Sequence, residues 1–167
     1  NIRDVRVIGE REFGSGMKFQ DGDTLFARIT PCLENGKTVL VNGLGEGVIA
    51  HGSTEFIVLS PKDIEHDAKF IYYLARLPEF REFAKSRMEG TSGRQRVDAT
   101  ALASYEFMLP PPDIRKGIGE ALSAFDDKMI ANSQMNQTLE KIAQRIFKSW
   151  FIDFDPVKAN AEGVPFN

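Results

Sequence analysis

Residues 110–150 read PPPDIRKGIGEALSAFDDKMIANSQMNQTLEKIAQRIFKSW, and this stretch decides the fold. The triplet Pro110 to Pro112 forbids both a continuing sheet ladder and a helix interior, while Asp113 is suited to cap a helix that starts behind it. From Ile118 the seam positions run Ile118, Leu122, Phe125, Met129, Asn132, Asn136, Leu139, Ala143, Ile146 and Trp150, alternating four and three residues apart without a slip. That is a heptad seam, and it predicts one helix from Ile114 to Trp150, about 55 Å long. A domain of this size cannot cover such a length by itself, so part of the stripe is expected to meet another helix. Asn132 and Asn136 interrupt the apolar run, and a buried amide is costly without a partner. Either they pair across the interface and set its register, or Ser133 to Asn136 faces solvent where the helices diverge.

Working outward, the chain before the prolines mixes two periodicities. Thr24 to Ile29, after the turn pair Gly22-Asp23, and Lys37 to Val41, after Asn35-Gly36, read as strands. Gly47 to Ala50 and Thr54 to Leu59 are two more, separated by a His51-Gly52-Ser53 loop and ended by Pro61. From Asp67 to Met88 the spacing becomes helical, with Phe70, Tyr73, Leu74, Leu77, Phe80, Phe83 and Ala84 on one face and a break at Pro78. Glu89 to Arg96 (EGTSGRQR) is a polar loop, and Tyr105 to Leu109 is a last strand candidate. The fold class is therefore α+β. A small mixed α/β domain (1–109) with a twisted, mainly antiparallel sheet is followed by a long coiled-coil helix (110–155) and a poorly ordered Gly- and Pro-containing tail (156–167).

Composition narrows the class. At 167 residues, 42% apolar and with 13 Phe, the chain holds one ordinary domain or a small domain with an appendage, and it is not a disordered polymer. No apolar run approaches the ~20 residues needed to span a bilayer, and no apolar signal core opens the chain, so a cytoplasmic protein without a membrane role is expected. The single cysteine, Cys32, has no Cys or His neighbours at metal-ligand spacing and reads as a reduced structural thiol. Net charge is −3, yet Arg81, Lys85, Arg87, Arg94 and Arg96 stand against only Glu82 and Glu89, a local excess of three positive charges. His51 lies in no pattern that marks a catalytic base, and Gly43 to Gly47 lacks the Lys-Ser/Thr and the βαβ context of a phosphate-binding loop. No metal site, cofactor or catalytic residue is expected.

Five segments taken in order carry a family resemblance: Gly22 to Lys37 (GDTLFARITPCLENGK), Gly52 to Leu59 (GSTEFIVL), Gly90 to Val97 (GTSGRQRV), Leu109 to Pro112 (LPPP) and Ser149 to Val157 (SWFIDFDPV). Together they resemble the specificity subunit of type I restriction-modification systems. The resemblance implies a non-catalytic protein in which each recognition domain binds one part of a bipartite double-stranded DNA target. Antiparallel helices hold two such domains apart and dock methyltransferase subunits, and through them the restriction subunit. This chain has one domain and one helix, so it reads as a fragment or as a half-length subunit that pairs with a second recognition half or a second copy. Its opening, Asn1-Ile2-Arg3, implies a missing or shortened first strand.

DNA recognition needs cations and amide donors on phosphates, plus planar polar groups at base edges. Arg94 and Arg96 suit guanine or phosphate, Gln95 suits adenine, and Thr91 and Ser92 suit phosphate oxygens. A motif shared by domains that read different sequences cannot itself encode the sequence, so phosphate or loop-shaping roles are the expectation for Arg94 and Arg96. Arg28 and Lys37 are further DNA-facing candidates, although Arg28 sits inside a strand where it can cover the sheet or pair with Glu34. The Phe70 to Phe83 stripe reads as core, not as a base-stacking platform. The competing reading is a protein-interaction scaffold with a dimerising helix, which the acidic isoelectric point of about 5.5 favours slightly.

Overall fold

The structure is a computed structural model that describes residues 14–91 and 93–165. The reading of the opening residues 1–13 and the placing of Ser92 lie outside the described residues. Two compact units divide between Ser123 and Ala124.

In the first unit, strands β1 (Met17–Phe19), β2 (Thr24–Ala27), β3 (Thr38–Leu40), β4 (Ala50–Gly52) and β5 (Phe56–Leu59) precede helices α1 (Ile64–Arg76) and α2 (Pro78–Ser86). A short hairpin, β6 (Met88–Glu89) and β7 (Arg96–Val97), and a helical turn, α3 (Ala99–Leu102), follow. The main sheet has the order β3-β2-β5, with both pairings antiparallel, and β1 pairs antiparallel with β4. All four residues of β2 are buried because it is the central strand with both faces covered. Its alternation sends Phe26 to one face, where Leu33, Ile57, Ala75, Phe80, Ala84, Val97 and Leu102 form the larger core. Leu25 goes to the other face, beside Phe19 and Val41. Phe26 meets Phe80 edge to face at 5.5 Å, which ties sheet to helix.

Local chemistry explains the helix boundaries. Asp63 caps α1, its side chain accepting from the backbone N–H groups of Glu65 and His66. Pro78 stands at the first turn of α2 and pushes Leu77 out of the helical region to ψ 137°, which gives the expected break. The buried face of α1 differs from the one the spacing predicts. Ala68, Tyr72 and Ala75 are fully buried, whereas Phe70, Tyr73 and Leu74 are half-buried and Leu77 is exposed. At about 100° per residue the fully buried Ala68, Tyr72 and Ala75 lie on nearly the opposite side of the helix from the predicted stripe, because the small alanines allow close approach to the sheet while Phe70, Tyr73 and Leu74 stay half-buried.

Three other expectations are corrected. Gly43, Gly45 and Gly47 all have positive φ, so the strand begins at Ala50, and His51 lies within β4 opposite Lys18. Tyr105 to Leu109 forms no strand. Tyr105 packs edge-on against Phe80 and Phe83, each at 5.0 Å, and Phe107 stacks on Tyr105, so aromatic contacts, not ladder bonds, hold the segment. Asp155–Glu162, expected largely in the tail, forms a further helix, described below.

Helix α4 runs continuously over Pro112–Phe147. It starts at Pro112, so Asp113 lies in its first turn instead of preceding it. Its opening turns pack on α1: Arg115 Nε donates to Asp67 Oδ1 at 2.6 Å, Lys116 Nζ to Glu65 Oε1 at 2.6 Å, and Gly119 passes so close that a Cβ there would lie 2.7 Å from the Lys69 Cβ. Gly119 and Ser123 are its buried residues. The unit of residues 124–167 continues the helix, passes through a π-helical turn, Lys148–Ile152, and closes with α5 (Asp155–Glu162). Lys148 pairs with Asp153, and Ser149 Oγ donates to Asp155 Oδ2 at 2.7 Å. Gly163, at φ 70°, ends α5 with Gly163 N–H bonded to Asn160 and Val164 N–H to Ala159, the paired bonds of a left-handed helix stop.

Candidate nucleic-acid interface

The sheet brings distant segments together at the end where β2 leaves. Ala27 is the last residue of β2; its N–H donates to the Lys37 carbonyl, and the next N–H, of Arg28, donates to the Glu55 carbonyl. The Arg28 carbonyl in turn accepts from Val97 N–H, Ile29 bridges Arg96, and Thr30 N–H donates to the Gln95 carbonyl at 3.0 Å. Arg28, Lys37, Gln95 and Arg96 therefore share one edge although up to 68 residues separate them in the chain. The loop joining β6 to β7 carries Thr91 and Arg94, both exposed. Arg94 N–H bonds to the Thr91 carbonyl, and Gly90 and Gly93 supply the positive φ that the loop requires.

The cations on this edge have different fates. Arg96 is engaged by Glu55: Nε and Nη2 both donate to the carboxylate, Nη2 at 2.7 Å, and Nη1 reaches the Arg94 carbonyl at 3.4 Å. The Arg96 hydrogen bond, helped by the charges of Arg96 and Arg28, lowers the Glu55 carboxyl from its ordinary value against a smaller effect of burial, and the same bond raises Arg96. Arg28 lies 3.6 Å from Asp98, not beside Glu34, because its position just past β2 turns it toward the turn before α3. The Asp98 carboxyl is itself held low, first by the Thr100 hydroxyl, then by the Thr100 amide and the Arg28 charge. Lys37 and Arg94 are exposed and have no ion-pair partner among the described residues.

Sequence reasoning did not single out Glu55 or Asp98. A signal for Glu55 was present, since an acid in GSTEFIVL and a base in GTSGRQRV belong to two signature segments that fold into contact. Asp98 follows directly on the second segment and caps α3.

The seam residues form a separate candidate surface. Ile118, Leu122, Phe125, Met129, Leu139, Ile146 and Trp150 are 36% to 69% exposed, and Asn132 and Asn136 are exposed as well. Over the opening turns of α4 the seam lies roughly 100° round the helix from the Gly119 and Ser123 face. Docking on α1 therefore uses a different stripe from the heptad one. Among the described residues no group of three His, Cys, Asp or Glu side chains is placed to hold a metal ion, and no helix is long and apolar enough to cross a membrane.

Residues 9–141 match the family described as the type I restriction modification DNA specificity domain. The chain is 36% identical over 145 residues to the HindI type I restriction enzyme specificity subunit of Haemophilus influenzae, which covers 86% of this chain and 30% of that protein. It is 36% identical over 109 residues to the EcoEI specificity subunit of Escherichia coli, covering 65% of this chain and 18% of that protein. A third relative, the MjaIX specificity subunit of Methanocaldococcus jannaschii, is 35% identical over 91 residues, covering 54% and 21%. The chain thus spans less than a third of the length of these curated relatives.

Proposed function

Because the chain belongs to the type I restriction modification DNA specificity family, we propose that it is a non-catalytic DNA-reading module that recognises one part of a bipartite double-stranded target. The observation that carries this reading is the meeting of Lys37, Arg94 and Gln95 at one sheet end, where two exposed cations have no ion-pair partner among the described residues while Arg96 is held by Glu55. Free cations make phosphate contacts that orient a duplex, and amides beside them reach base edges. Thr91 and Ser92 serve as phosphate donors in this reading, and Arg28, paired with Asp98, is a further cation of the same edge. The exposed seam of α4 takes a second helix, from another recognition half or another copy, in antiparallel fashion. The same region docks methyltransferase subunits and, through them, the restriction subunit. Residues 1–109 form the recognition domain and 110–155 the spacer in this reading.

The test is DNA binding by the complex assembled with its methyltransferase subunits, as salt is varied. Lys37→Ala with Arg94→Ala is expected to weaken binding and to shallow the salt slope by about 0.9 for each phosphate contact removed. Unchanged affinity and slope favour the scaffold reading, in which the globular part binds protein.

A further inference from the structure

We propose that Glu55 is a positioning residue for DNA reading: it withdraws Arg96 from the duplex and uses it to hold the β6–β7 hairpin in its reading geometry. This rests on the DNA-reading function proposed above. A carboxylate on a DNA-facing edge is at first sight a liability, since it repels phosphate and cancels a cation. Its geometry supplies the compensation. Nε and Nη2 of Arg96 both reach the Glu55 carboxylate, a forked contact that fixes direction as well as distance. The remaining arm, Nη1, reaches the carbonyl of Arg94, so the clamp extends to the residue whose free side chain is the candidate DNA contact.

Backbone bonds carry that constraint further. Glu55 itself is anchored where its carbonyl accepts from Arg28 N–H, and the Arg28 carbonyl accepts from Val97 N–H on the far side of Arg96. Gln95, between the two arginines, gives its carbonyl to the N–H and the hydroxyl of Thr30. The hairpin has only two residues in each strand, Met88–Glu89 against Arg96–Val97, too few ladder bonds to hold a loop by themselves. The Arg96 fork on Glu55 replaces what a longer ladder would supply.

Charge and position predict opposite signs, which makes the idea testable. If Glu55 acted only as a negative charge, Glu55→Ala would tighten specific and non-specific binding together. As a positioning residue its removal leaves non-specific binding equal or tighter but lowers the ratio of specific to non-specific affinity by at least about fivefold, the low end of what one misplaced base contact costs. Arg96→Lys, which keeps the charge and loses the fork, is expected to lower the ratio in the same direction.

The experiment measures both affinities for the assembled complex carrying Glu55→Ala, Glu55→Gln or Arg96→Lys, and amide hydrogen exchange of the same chains without DNA. Faster exchange at Arg94 and Thr30, with the α1 amides unaffected, together with the lowered ratio supports the clamp. Unchanged exchange at these amides overturns it, as does an equal gain in both affinities. Loss of binding in Arg96→Lys with none in Glu55→Ala also overturns it, by making Arg96 a direct contact. Failure of the DNA-reading function itself shows differently: Lys37→Ala with Arg94→Ala would leave DNA binding untouched while the exchange rates still responded to Glu55.

Discussion

At the scale of single residues, one edge sorts its cations by what stands beside them. Arg96 faces Glu55 and Arg28 faces Asp98, whereas Lys37 and Arg94 face solvent. The Glu55 carboxyl is lower in the folded chain than its ordinary value near 4.5, so the unfolded chain binds that proton more readily. The pair therefore contributes fully above the ordinary glutamate range, declines as pH falls through it, and is lost below the lowered folded value. Both side chains are partly exposed, so solvent screening keeps the contribution small. Accordingly, the stability difference between the natural chain and Glu55→Gln is expected to be constant near neutral pH and to close on acidification, as urea unfolding at a series of pH values would measure. A difference that widened toward low pH would contradict the pairing.

At the scale of elements, the start of α4 depends on the absence of a side chain. Gly119 lets the helix approach α1 until only a hydrogen fits above the Lys69 Cβ and the Phe70 N–H, with Arg115 on Asp67 and Lys116 on Glu65 to either side. Glycine within a helix ordinarily costs about 1 kcal/mol relative to alanine. Gly119→Ala should nevertheless destabilise the chain by about 1–3 kcal/mol, because the new methyl would have to displace a side-chain stem and a backbone instead of a flexible tip. Thermal unfolding measures the sign. A gain in stability would mean that the helix stands off further than these contacts indicate. The neighbouring Gly117, with nothing near its missing Cβ, is the control: Gly117→Ala is expected to stabilise.

At the scale of the whole chain, the heptad stripe is exposed while a different stripe of the same helix docks on α1. Large side chains such as Phe125 at 69% and Leu139 at 55% exposure have apolar area to remove from water, and in the function proposed above a second helix with matching spacing covers them. Sedimentation of the natural chain is expected to give a concentration-dependent species heavier than the 18.7 kDa monomer. Leu139→Asp with Ile146→Asp is expected to return it to the monomer without loss of the first unit's fold. A natural chain that stays monomeric at high concentration would leave the stripe to a different protein.

Much of this protein was legible in its residues because some signals are local. A proline triplet, a 4-3 alternation, Pro78 and Asn35-Gly36 at a turn act through their immediate neighbours, and the long helix, the helix break and the turn appear where those residues stand, whereas the first helix begins at Ile64 and not at the Asp67 that the spacing indicated. What tertiary structure alone decided depends on which surfaces meet. Tyr105 to Leu109 has the apolar content of a strand, but Phe80 and Phe83 offer its rings a better contact than any edge offers its backbone. The residues after Asp155 look like a tail until Gly163 closes a helix there. Glu55 and Arg96 lie 41 residues apart, and spacing carries no information about whether two charges so distant will touch. The antiparallel β2–β5 pairing and the Arg28 to Val97 bond bring them together, and that contact is what pairs Arg96 with an acid.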